Sequence, residues 1–229
     1  MAKLEVLNPG SFASVKVHLA PGERFISESG MMVRSTANVS YDITAKPKGK
    51  GGMLGALKRM LGGDSFFMST YHASGEGYVV VAPTLPGDCY VIDLQPGGAP
   101  WMCAGASYMA SGPEVALDTQ FQGLKGFFSG ESLFYVELSG SGPAVVNAFG
   151  RIREVEVNGS LIVDTGHVVA FQKSLSYEIT KAGSSWFQSW LAGEGLVMNF
   201  NGRGKVLVQS HNPSEFGGAI GPLLPPRQG

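Results

Sequence analysis

Three carboxylates recur at one phase of a heptapeptide used three times: Asp64 in GGDSFFM (62–68), Glu131 in SGESLFY (129–135) and Glu194 in AGEGLVM (192–198). Gathered around a pseudo-threefold axis, three such groups would raise one another's pKa values or require a cation such as calcium. The simpler reading is preferred: each carboxylate accepts backbone N–H bonds inside its own glycine-carboxylate turn, away from the other two. The four histidines, His18, His72, His167 and His211, include no pair with HxH or HExxH spacing, so a cupin-like metal site is not expected. Cys89 and Cys103 form no CxxC and read as reduced thiols in or near the core. The chain has no GxSxG elbow, and GKGGMLG (49–55) lacks the GxxxxGK[ST] of a phosphate loop, which makes it a hinge rather than a nucleotide site. No catalytic, cofactor-binding or metal-ligating residue is assigned, and the protein reads as a non-enzyme.

The elements around those turns repeat as well. VSYDIT (39–44), VALDTQ (115–120) and LSYEIT (175–180) precede the heptapeptides. YVVVAP (78–83), AVVNAF (144–149) and KVLVQS (205–210) follow them, after the glycine pairs Gly75/Gly77, Gly140/Gly142 and Gly202/Gly204. Three blocks in one order, three times over, indicate copies of one supersecondary unit. Each block is rich in β-branched and aromatic residues and alternates. In LSYEIT, Leu175, Tyr177 and Ile179 face one side while Ser176, Glu178 and Thr180 face the other, as in a half-buried strand. Similar patterns predict strands at 5–6, 14–18, 25–27, 31–33, 89–94, 101–103, 151–157, 161–163 and 167–171. Glycine, at 33 residues, punctuates short strands and leaves little room for long helices.

The expected fold is therefore all-β: a single unit (1–229) of three β-sandwich-like repeats about a pseudo-threefold axis. Their boundaries fall near 1–83, 84–149 and 150–211, with a tail at 212–229 that is either an ordered strap or a loose end. Between the blocks of each repeat lies a segment of helical rhythm: 48–61, 120–128 and 184–192. In the first, Met53, Leu54 and Leu57 share an apolar face beside Lys58 and Arg59. In the third, Trp186 and Trp190 stand four apart. These segments read as short helical caps over the open end of each β-unit. Contact with an oligomer partner or a membrane surface is the rival role for the same residues.

Seventeen basic and eighteen acidic residues give a net charge of -1, so no global field gathers phosphates or an anionic membrane. The N-terminal residues show no apolar core of a signal peptide, which predicts a soluble, cytoplasmic protein.

The stretches FFSGESLF (127–134), WLAGEGLV (190–197), GKVLVQS (204–210) and FGGAIGPLLP (216–225) resemble the family of altered inheritance of mitochondria protein twenty-four, whose prokaryotic members are of unknown function. The resemblance covers nearly the whole chain. It implies a fold related to double-stranded β-helix proteins and to the tryptophan RNA-binding attenuation protein, and its mitochondrial members are associated with inner-membrane organisation. Nucleic acid is not the favoured partner, because no basic triplet recurs at repeat phase and aromatic residues are not interleaved with the bases. The expected role is a non-catalytic, homo-oligomeric scaffold with an unknown protein partner and no cofactor. An RNA-binding or small-ligand-binding ring and a membrane-peripheral organiser stand as alternatives.

Overall fold

The structure is a computed structural model that describes residues 2–44, 67–121, 134–181 and 196–225. These residues form an all-β protein of three antiparallel sheets with one short α-helix. The first sheet runs in the order β1 (Lys3–Leu7), β2 (Ser14–Leu19), β7 (Gly77–Val81) and β4 (Met32–Ser35). The second comprises β5 (Val39–Thr44), β6 (Met68–Ala73), β3 (Arg24–Glu28), β10 (Tyr108–Ser111), β13 (Gly142–Asn147) and β8 (Cys89–Leu94). The third comprises β11 (Val115–Phe121), β12 (Phe134–Gly140), β9 (Trp101–Ala104), β15 (Val168–Gln172), β17 (Leu196–Gln209) and β14 (Ile152–Asp164), with β16 (Ser176–Lys181) also on β17.

The two-residue period of the sequence decides which side of each strand is buried. Val15, Val17 and Leu19 of β2 point inward while Ser14, Lys16 and His18 stay partly exposed. Phe25 and Ser27 of β3 are buried in the same way, and the Ser27 hydroxyl is satisfied by the phenol of Tyr71 at 3.0 Å. The buried side chains fall into three clusters. In one of them Phe171 meets Tyr135, Tyr177 and Phe200 at centroid distances of 5.5, 5.0 and 5.0 Å. Edge-to-face packing of this kind adds to the roughly 1.5–3 kcal/mol that burial of each large side chain contributes.

Two strand junctions make continuous sheets out of distant segments. Strand β3 pairs with β10 through Ser27 opposite Ala110 and Ile26 opposite Ser111. Strand β9 pairs with β15 through Cys103 opposite Ala170 and Met102 opposite Phe171.

The structure redraws two boundaries and settles the tail through residue 225. The strands expected at 151–157 and 161–163 are one, β14, which runs through Gly159 at φ 118° while β17 pairs with it along its whole length. A paired neighbour thus carries the strand across a glycine that reads locally as a break. His167 lies in a 3-10 turn at Thr165–His167 rather than in the strand that follows. In the tail, Pro213–Ile220 form α1: Asn212 caps it by accepting the Ser214 N–H at 3.0 Å, and the Phe216 ring lies 4.9 Å from that of Phe149.

Candidate functional site

Three short turns converge on one open cavity of about 500 Å³: the turn from β3 to β4, that from β9 to β10, and that from β14 to β15. The first contributes Glu28 and Met31, the second Ala104 to Ser107, the third Thr165, Gly166 and Val168. Segments leaving β7, β13 and β17 complete the lining with Thr84, Leu85, Asn147, Phe149 and Gln209, and the start of α1 closes one side. Each turn is latched by the segment that leaves the adjoining strand. The Ala82 N–H donates to the Met31 carbonyl at 2.9 Å, the Asn147 amide to that of Ser107 at 3.2 Å, and the Gln209 amide to that of Gly166 at 2.7 Å. Gln209 also accepts the Phe149 N–H at 2.9 Å, so both ends of its buried amide are engaged. A Cβ at Gly166 would lie 2.2 Å from the Asn212 amide nitrogen, so the side chain that caps α1 would have to shift to admit one. His167 donates Nδ1–H to the Gln209 carbonyl at 2.8 Å, which holds the same turn against β17.

Among the described residues, Glu28 is the one ionisable side chain lining this cavity. Burial pushes its carboxyl up to about 7. Near neutral pH the group thus passes between a hydrogen-bond donor and an anion able to receive a cation, in a cavity of the size that takes small ligands. Because the folded-state value is raised above that of an unfolded carboxyl, the neutral form stabilises the fold below about pH 4.5, and this stability is lost as pH rises through 7. After allowance for solvent at its partly open position, Glu28→Gln is expected to recover about 1–2 kcal/mol at pH 8 and nothing at pH 4.5. Thermal melts of both proteins across that range test this: parallel curves for wild type and variant would show that Glu28 is not the titrating group.

The segments entering and leaving the cavity are tied together by Asp88, which is buried. Its carboxylate accepts the N–H of Gly10 at 2.8 Å, of Cys89 at 3.0 Å and of Ile152 at 3.3 Å, joining the approach to β2 with the starts of β8 and β14. Its own N–H donates to the Gly150 carbonyl at 2.7 Å, and its carbonyl accepts from Ala148 at 3.1 Å. Alongside it, Gly87 and Gly150 form a parallel bridge. A carboxylate holding three backbone donors is a clasp, with three of its roughly four acceptor sites filled.

The carboxylates Asp64, Glu131 and Glu194, and the cap residues Met53, Leu54, Leu57, Lys58, Arg59, Trp186 and Trp190, lie outside the described residues. The histidines are dispersed: His18 lies 3.5 Å from Glu5, His72 3.4 Å from Asp42, and His211 2.8 Å from the Ser210 hydroxyl. Among the described residues no three His, Cys, Asp or Glu side chains are placed to hold a metal ion, and no helix is long and apolar enough to cross a membrane. Cys89 and Cys103 are free and buried. Burial, followed by the nearby Asp88, pushes the Cys89 thiol up to about 12, and burial raises Cys103 as well. Glu28 and Asp88 carry no motif. The one local signal at Asp88 is the Pro86-Gly87 turn before it, and Glu28 stands at a strand end like many surface carboxylates.

An uncharacterized protein of Streptococcus pyogenes serotype M6 is 30% identical over 220 residues, which span 93% of this chain and 88% of that protein. The X-ray crystal structure of a protein from Streptococcus pyogenes is similar throughout, with a TM-score of 0.79 at 27% identity, covering 98% of this chain and 100% of that one. Residues 4–211 match the model of the mitochondrial biogenesis AIM24 family, and with this coverage the chain belongs to that family.

Proposed function

We propose that the protein is a non-catalytic scaffold, built of three copies of one β-unit about a pseudo-threefold axis and assembling with further copies of itself. The observation that carries this reading is a strand register that recurs three times. Leu19 pairs with Gly77, Leu94 with Gly142 and Val157 with Gly204. Tyr41 pairs with Tyr71, Leu117 with Leu138 and Tyr177 with Phe200. A bulge falls at one place in each: between Met32 and Arg34 on β7, between Tyr108 and Ala110 on β13, and between Val168 and Ala170 on β17. Bulges occupy specific positions in a fold, and three at matching register support a copied unit.

Convergence of the three turns on one cavity supports a common axis. The scaffold reading is supported further by how the units are joined. Each joint extends a sheet instead of framing a catalytic group: Asp88 is spent on backbone donors, and the two thiols are held in the neutral form. A module that adds units by sheet extension is suited to adding copies. Light scattering at micromolar concentration is expected to return a multiple of the 24.1 kDa chain mass. A single 24.1 kDa species would overturn the assembling part of this reading.

A further inference from the structure

We propose that the cavity where the three turns meet is a binding site for a small organic amine, with its ammonium group held by Glu28 and its apolar body against Met31, Leu85 and Phe149. The site lies within one chain, so the proposal goes beyond the scaffold reading and does not depend on it. The polar wall divides into groups that the fold uses and groups that it does not. Asn147 donates to the Ser107 carbonyl, Gln209 donates to the Gly166 carbonyl and accepts the Phe149 N–H, and Asn212 accepts the Ser214 N–H. By contrast, among the described residues no hydrogen bond or ion pair reaches the Glu28 carboxylate or the hydroxyls of Ser107 and Thr165. Ser107 is only 6% exposed, yet among the described residues no fully covered side-chain polar atom lacks a partner, so its hydroxyl opens on the cavity it lines.

Asp164 supplies the contrast. It ends β14 ahead of one cavity turn as Glu28 ends β3 ahead of another, but its carboxylate folds back to accept the Gly166 N–H at 2.8 Å. Glu28, one methylene longer, makes no such bond to its own turn. A half-buried carboxylate that takes no donor from the fold is left for a donor from outside, because an unpaired charge away from bulk water is costly.

The chemistry of the wall selects the donor. A calcium ion wants about six to eight oxygen ligands and usually several carboxylates, whereas this wall offers a single negative charge among the described residues. An anion finds no lysine, arginine or histidine among the described lining residues. The start of α1 adds nothing for it, since Pro213 has no N–H and that of Ser214 is taken by Asn212. An ammonium group fits: its N–H groups can reach one carboxylate and neighbouring hydroxyls at once, and a cavity of about 500 Å³ has room for an attached apolar body.

The test is calorimetric titration of the full chain at pH 8, where the Glu28 carboxyl is ionised, with phenethylamine as the probe and phenethyl alcohol and phenethyltrimethylammonium as comparisons. Phenethylamine is expected to bind saturably at a single site in each chain. The alcohol lacks the charge and the quaternary ion lacks N–H donors, so each is expected to bind at least about tenfold more weakly. Glu28→Gln is expected to weaken the amine by at least about tenfold. Ser107→Ala, a smaller change in the same wall, is expected to weaken it about threefold with the melting curve unchanged. No saturable binding, an affinity unchanged in Glu28→Gln, or a comparison compound that binds as tightly as the amine would each overturn the site. The scaffold reading is judged by the mass of the assembly, and none of these outcomes bears on it.

Discussion

Gly87→Ala is expected to destabilise the protein by about 4 kcal/mol, at the severe end for a single substitution. A Cβ at this position would sit 1.6 Å from the Ala148 carbonyl oxygen and 2.7 Å from its carbon. Both obstacles are backbone, so no side-chain rotation relieves them. The chain must move apart where Gly87 bridges Gly150 and where the Gly87 carbonyl accepts the Ala13 N–H at 2.8 Å. The penalty comes from contact, since Gly87 is not among the glycines with positive φ. Gly217→Ala in helix α1 is the contrasting control: nothing lies within 4 Å of its added methyl, and helix propensity favours alanine by about 1 kcal/mol. Urea unfolding of the two variants should move in opposite directions. A Gly87→Ala midpoint within error of wild type would show that the close approach is not maintained in solution.

The second large effect is expected at Asp88. Replacing it with alanine leaves the N–H groups of Gly10, Cys89 and Ile152 without their acceptor in a buried setting. An unsatisfied buried donor costs roughly 1–3 kcal/mol, and partial relaxation or entering water offsets part of three such losses, so about 3 kcal/mol is expected. For a chain of this length that lowers the melting temperature by roughly 6–12 °C. Amide exchange gives the more specific readout. Gly10 and Ile152, which are distant in sequence, should lose protection together in Asp88→Ala, while core amides such as that of Phe171 open only with global unfolding. Unchanged protection at both would mean that the carboxylate is not their acceptor.

Both residues were hard to see in the sequence, for a reason the proposed units make plain. At the register position of Asp88 the other two units carry Ala13 and Arg151, and at that of Glu28 they carry Ala104 and Asp164. A search for chemistry repeated in all three units passes over such positions, because the Asp88 clasp is made once and a carboxylate at the register of Glu28 recurs only as Asp164. By the same logic the repeated carboxylates of the glycine turns stand out in the sequence, and they fall outside the described residues. Glycine misled in one place: Gly159 reads as a strand boundary, yet the ladder from Ile152–Gln209 to Asp164–Val197 runs through it unbroken.

The residues alone were sufficient for the all-β class, the positions of most strands, the buried faces and the family resemblance. The first three follow from a two-residue side-chain period and from turn chemistry, both readable within a short window, while the resemblance rests on particular stretches such as 127–134 and 190–197. Strand partnership was decided in three dimensions. Backbone N–H and C=O groups are the same at every residue and carry no label for a partner strand, so the joints from Ser27 to Ala110 and from Cys103 to Ala170 had no local signature. The cavity around Glu28 and the clasp at Asp88 both derive from those long-range choices. Each exists only once segments far apart in the chain are brought side by side.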